Sequence, residues 1–210
     1  MDGTLIDTEK FFGEGWLTIA DDFGLARNPK LHSAMSGKSR EAMPEILKGF
    51  YPNISAKDAK AYIDKVFDLC ERRCRESLET LPGVQDLLAY FQEKRVPMAV
   101  VSGSDRSKVE DKLKRTGIRK YFAAIVGGDE VEKGKPDPEG FLKAAAALEI
   151  PPADCYVFED SFNGIRAGHA AGATAIMVPN QVQPDDEIRS LCTVCDSLSQ
   201  ALQLIREGKI

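Results

Sequence analysis

The segment from Tyr156 to Gly172 constrains the fold of this chain more than any other. Tyr156-Val157-Phe158 is a short apolar run of the kind that forms a buried strand; it ends in two adjacent carboxylates, Glu159 and Asp160, and a small-residue helix follows through Ala171. Two anions therefore stand at the carboxyl end of a strand. Open α/β sheets bind their ligands just outside that edge, so the pair suits a hard cation such as Mg2+. A purely structural use competes with this one, in which Asp160 begins an Asx turn or caps the following helix. The rest of the chain has to decide between them.

From Leu81-Pro82-Gly83 onwards, helical and strand patterns alternate. Helices are predicted over 84–94, 107–115, 138–148, 165–171 and 197–206, and strands over 98–102, 124–126, 155–159 and 174–178. Alternation at this spacing implies right-handed crossovers and a mostly parallel sheet with helices on both faces. Residues 10–80 read differently, as an all-helical block. Helices are expected over 10–23, with Phe12, Trp16, Ile19, Ala20 and Phe23 on one face, over 39–50, and over 55–79, where Ser55 and Asp58 form a capping pattern. The expected organisation is an α/β core from residues 1–9 and 81–210, with a helical insert from 10–80 above the strands' carboxyl ends.

Composition narrows the function classes. A net charge of -5 with no dense Lys/Arg cluster argues against a duplex nucleic-acid surface. No stretch approaches about 18 consecutive apolar residues, and the opening residues lack a signal-like segment, so a cytoplasmic protein not bound to membrane is expected, as a monomer. Five cysteines fit a reducing compartment. The pairs Cys70/Cys74 and Cys192/Cys195 are candidate zinc half-sites, but His32 and His169 supply no obvious second half.

With the strands placed, their polar ends form one group. Ser102-Gly103-Ser104 follows the first strand of the core, and such a turn can hold phosphate oxygens with its hydroxyl and backbone N–H groups. Gly134-Lys135-Pro136-Asp137-Pro138 puts a lysine on a proline-stiffened loop at the same edge. A rigidly held ammonium offsets phosphoryl charge without reorganising during reaction, although an isolated lysine is more commonly a solvated surface cation. The triplet Gly37-Lys38-Ser39 is not a nucleotide P-loop, since the upstream glycine and strand are missing.

Asp2-Gly3-Thr4, Ser102, Lys135 within Gly-Lys-Pro-Asp-Pro, and Glu159-Asp160 stand in an order and spacing that resembles the haloacid dehalogenase superfamily, in its beta-phosphoglucomutase-like branch. The resemblance spans the whole chain and implies a Rossmann-like core, a helical cap after the first motif, and Mg2+-dependent phosphoryl transfer through an aspartyl phosphate on a small phosphorylated metabolite. It implies Asp2 as the acid-base residue and a metal ligand, Ser102 and Gly103 as phosphate-binding, Lys135 as the brace of the phosphoryl group, and Glu159 and Asp160 as metal ligands. Arg40 resembles a cap position that meets the substrate's distal anionic group, while a solvated helix-start cation is its plain alternative. Phe11 and Phe12 stand where mutases and many phosphatases carry a histidine or other polar residue, which favours a phosphatase over a sugar-phosphate mutase, although packing of the cap core is their commoner use.

The chain departs from the family pattern at its start. The family motif is Asp-X-Asp-Gly-Thr, and Met1 falls at X, so the nucleophilic Asp and its strand have no counterpart in residues 1–210. The expectation is either that Met1 is internal to a longer native chain or that this is a short form that binds ligands without turnover. Without a central strand, the sheet should carry a slot about 10 Å wide between the strands ending at Ser102 and Glu159, bordered by unpaired backbone groups.

Overall fold

The computed structural model describes residues 1–36, 38 and 40–210 and divides the chain into two compact units, residues 1–7 with 79–210 and residues 8–78. The second unit is helical. Helix α1 (Glu9–Asp22) turns Phe11, Trp16, Ile19 and Ala20 inward on one face, as its apolar spacing dictates. Helix α2 (Lys30–Met35) starts directly after Pro29. The Asn28-Pro29 pair therefore marks a helix start, where a fixed φ and a missing N–H are harmless. Helix α3 (Met43–Phe50) begins later than expected, with Pro44 in its first turn; the expected start at Ser39 lies outside the described residues.

Helix α4 (Ala56–Glu76) is capped by Ser55, whose hydroxyl accepts the Asp58 N–H at 3.0 Å. The core of this unit is closed by Trp16 stacked on Tyr62, ring centroids 5.9 Å apart, and the Tyr62 hydroxyl donates to the Trp16 carbonyl. Cys70 and Cys74 are buried in that core, and burial pushes the Cys70 thiol up to about 12. Such a thiol serves as a small hydrophobe rather than a ligand.

The first unit alternates as the sequence pattern requires. Its elements are α5 (Val84–Glu93), β1 (Ala99–Val101), α6 (Arg106–Arg115), β2 (Ala124–Val126), α7 (Glu139–Leu148), β3 (Tyr156–Glu159), α8 (Phe162–Ala170), β4 (Thr174–Met177), α9 (Asp186–Leu191), β5 (Thr193–Val194) and α10 (Leu198–Arg206). Every strand pair is parallel, giving the expected α/β architecture. Helix α9, capped by Asp185, and the two-residue β5 were not legible in the sequence, because neither is long enough to show a period. Strand β4 is buried on both faces: Ala175 and Met177 pack with Ile165 and Ile188, while Ile176 packs with Cys195 and Ala201.

The sheet is not continuous. β1 pairs only with β2, β3 pairs with β4 and β4 with β5, and no strand joins β1 to β3 among the described residues. Between them lies an apolar cavity of about 340 Å³, lined along its length by both strands. No helix among the described residues is long and apolar enough to cross a membrane.

Candidate functional site

The site is built where β1 and β3 end. Ser102 follows β1 directly; its N–H donates to the Val126 carbonyl at 3.0 Å, which anchors the start of the turn, and its hydroxyl accepts the Ser104 N–H at 3.2 Å. The Ser102-Gly103-Ser104 turn thus curls around a buried hydroxyl at the strand end.

Lys135 links the two sheets. Its ammonium is bonded to the Glu159 carboxylate and lies 3.4 Å from the Val101 carbonyl, so it spans from the end of β1 to the end of β3. The two prolines are only part of what holds its loop. Glu139 accepts the N–H groups of Glu132 and Lys133 at 3.0 and 2.9 Å. A hydrogen bond from Lys143, with those two backbone donors, brings the Glu139 carboxyl down to about 2. That anchor was not visible in the sequence, because Glu139 reads there as an ordinary first-turn acid.

Glu159 is 4% exposed. Burial acts to raise its pKa, but the Lys135 ammonium, the amino group of Met1, and hydrogen bonds from Lys135 and Ser161 outweigh burial, and the carboxyl titrates below its ordinary range. The Ser161 hydroxyl donates to Glu159 at 3.1 Å and also accepts the Gly164 N–H at 3.1 Å, so one side chain caps α8 and steadies the acid. Gly164 is required by close approach: a Cβ there would sit 2.1 Å from the Glu159 carboxylate.

Asp160 is held by the opening turn of the chain. The Thr4 hydroxyl donates to it at 2.9 Å. Gly3 has φ +74°, and a Cβ there would fall 2.1 Å from an Asp160 oxygen, so both conformation and space call for glycine. Asn180 donates to the Gly3 carbonyl at 3.0 Å and fixes the turn from the other side. Thr4 belongs to a motif read in the sequence, whereas nothing in the sequence signals Asn180.

The expected grouping of Asp2 with Glu159 and Asp160 is not what the structure shows. Lys112 on α6 binds Asp2 at 2.6 Å, and among the described residues no three Asp, Glu, His or Cys side chains converge as a metal cluster. An ammonium at contact distance draws the Asp2 carboxylate to itself; Lys112 sits in a run of charges and carries no sequence signal. The adjacent pair Glu159-Asp160 still fits Mg2+, which commonly takes one or two protein carboxylates and completes its shell with water and phosphate oxygens. Since Glu159 is neutralised by Lys135, Asp160 is the primary candidate ligand.

Arg40 belongs to the second unit. There it pairs with Asp64 at 2.5 Å and lies over the Phe67 ring, 4.1 Å from its centroid. Phe11 is buried in the core of that unit and Phe12 packs edge-on against Phe67 at 5.0 Å. Packing therefore accounts for both rings.

Comparison with known proteins bears on this geometry. The family model described as haloacid dehalogenase-like hydrolase matches residues 1–178. The chain is 32% identical over 177 residues to a phosphorylated carbohydrates phosphatase of Thermotoga maritima, covering 84% of this chain and 81% of that protein. It is 33% identical over 178 residues to the fructose-1-phosphate phosphatase YqaB of Escherichia coli, covering 85% and 93%. It is 30% identical over 191 residues to the beta-phosphoglucomutase of Bacillus subtilis, covering 88% and 82%. Among solved structures, a HAD family hydrolase from Deinococcus radiodurans, with bound phosphate and sodium, superposes with a TM-score of 0.83 at 25% identity, covering 100% of this chain and 93% of that one.

Proposed function

Because this chain belongs to the haloacid dehalogenase-like hydrolases, we propose that it serves as a Mg2+-dependent phosphatase of small phosphorylated metabolites, of the sugar-phosphate kind, working through an aspartyl phosphate. One arrangement supports this above all: Lys135, bound to buried Glu159, bridges the ends of two strands beside the Ser102 turn.

In this reading Ser102 and the N–H groups of its turn donate to the phosphoryl oxygens. Lys135 offsets their charge from a fixed position, without rearrangement as the transition state forms. Asp2 protonates the leaving oxygen and later takes a proton from the attacking water. In the family motif the nucleophilic carboxylate is the residue just before the position that Met1 occupies. Mg2+, held by Asp160 with Glu159 beside it, would supply further neutralisation of phosphoryl charge.

A sugar-phosphate mutase is the second reading, favoured by the likeness to the Bacillus subtilis enzyme.

The test is phosphate release from a panel of sugar phosphates, with and without Mg2+, by a chain lengthened so that Asp precedes Met1. Turnover that needs Mg2+ and falls by about 100-fold or more in Asp160→Ala is the expected result. A folded, lengthened chain that is inert across the panel would overturn the phosphatase reading. If it is inert yet calorimetry detects a phosphate analogue with Mg2+, the role is ligand binding.

A further inference from the structure

We propose that Gly128 and Asp129 are positioning residues for the phosphoryl pocket: they fix the Ser102-Gly103-Ser104 turn against the start of α6 from outside it. The inference rests on the phosphatase reading, in which that turn receives the phosphoryl oxygens.

Gly128 holds the turn through its backbone. Its N–H donates to the Ser104 carbonyl at 2.9 Å, and a Cβ at Gly128 would run into the Gly103 carbonyl oxygen. Main chain therefore lies directly on main chain, with no room for a side chain between. A Cβ at Gly103, by contrast, would meet nothing within 4 Å among the described residues. The turn is packed where it meets Gly128 and open where Gly103 would carry a side chain.

Asp129 holds the exit of the same turn. Its carboxylate accepts the N–H of Arg106, the first residue of α6, at 2.7 Å. The N–H groups of a helix's first turn have no intrahelical partner, so an acceptor placed there fixes where the helix begins. Asp105, which precedes α6, makes no such bond with its own side chain. The cap comes instead from 23 positions away, and a Cβ at Gly127 would collide with the Arg106 nitrogen that receives it.

Charged side chains extend this hold to the second half of the pocket. The Arg106 guanidinium donates to the Ile125 carbonyl at 2.7 Å and to the Glu130 carboxylate at 2.9 Å, and Glu130 accepts the Gly127 N–H at 2.8 Å. Lys143 donates to the Glu130 carbonyl at 2.7 Å and binds Glu139, which accepts the N–H groups of Glu132 and Lys133. Residues 127–133 are thus tied to the Ser102 turn at one end and lead into the Lys135 loop at the other. Two groups that must meet one phosphoryl group are held by one strap, and a small misplacement of either weakens the grip.

The test is calorimetric titration of the chain as it stands with inorganic phosphate and Mg2+, at a temperature where every variant is folded. Asp129→Ala should weaken phosphate binding by about 10-fold or more. Amide exchange at Ser104 and Arg106 should quicken in it while exchange at Ile176 is unchanged. Asp129→Asn keeps an accepting oxygen and should restore affinity to within about 3-fold. Ser55→Ala removes a cap from α4 and should leave phosphate affinity unchanged; an equal loss there would show that stability alone is being read, and would overturn the proposal. Binding that Asp129→Ala leaves unchanged overturns this proposal alone, whereas no binding by the unaltered chain removes the pocket that both readings share. If Asp129→Ala does not fold, Arg106→Ala keeps the capped N–H but frees Glu130; a loss of about 3-fold or more supports the proposal, and unchanged affinity overturns it.

Discussion

Glu159 concentrates the electrostatics of the site in one residue. It is buried, bound by Lys135 and Ser161, and titrates below the ordinary range despite burial. A depressed folded pKa means that its stabilisation is complete above the unfolded value, about 4.3, and is lost as pH falls through the folded one. Glu159→Gln should therefore be less stable at neutral pH by about 1 to 3 kcal/mol, with a flatter decline below about pH 4. Urea denaturation at a series of pH values checks this. Curves that stay parallel down to about pH 2 would show that the pair makes no such contribution. The residue types of this site were legible, since Ser102, Glu159 and Asp160 stand at predicted strand ends and Lys135 on the proline-stiffened loop expected at the same edge. Their partners were not. Lys112, Asn180 and Glu139 are ordinary surface types in the sequence, and only the folded path brings Lys112, 110 positions away, onto Asp2.

At the level of elements, α8 is the helix whose start matters most. Ser161 caps it through the Gly164 N–H and at the same time donates to Glu159. Ser161→Ala should cost about 1 kcal/mol from the cap alone and loosen the acid as well. A lowered urea midpoint with unchanged m is the expected signature; an unmoved midpoint would show that water replaces the hydroxyl on both sides. Long elements with a clear period were read from sequence to within a few residues, as α1 over Glu9–Asp22 and α7 over Glu139–Leu148 show. Short ones escaped. Helix α2 has six residues and β5 two, too few for a period to stand out, and both are held by neighbours rather than by their own propensity.

Across the whole molecule, packing is uneven. β4 lies between two apolar clusters and pairs on both edges, whereas among the described residues β1 and β3 each pair on one edge only. Native-state exchange should follow that order, with Ile176 and Met177 among the slowest amides and Ala99 and Phe158 faster by orders of magnitude. Equal rates at these four positions would mean that the edges facing the cavity are protected after all. The cavity gives the chain a discontinuous sheet, as the resemblance to a family whose central strand has no counterpart in residues 1–210 led one to expect, and not residue propensity or local pattern.

What the sequence determined by itself was periodicity and order. Alternating helix and strand require a parallel sheet, and carboxylates, a lysine and a serine at strand ends must then share one edge. What tertiary structure alone decided was pairing: that Lys112 takes Asp2 and that Lys135 ties β1 to β3. Period is a property of neighbouring residues. Contact depends on the route the backbone takes between distant ones, and only the packed fold sets that route.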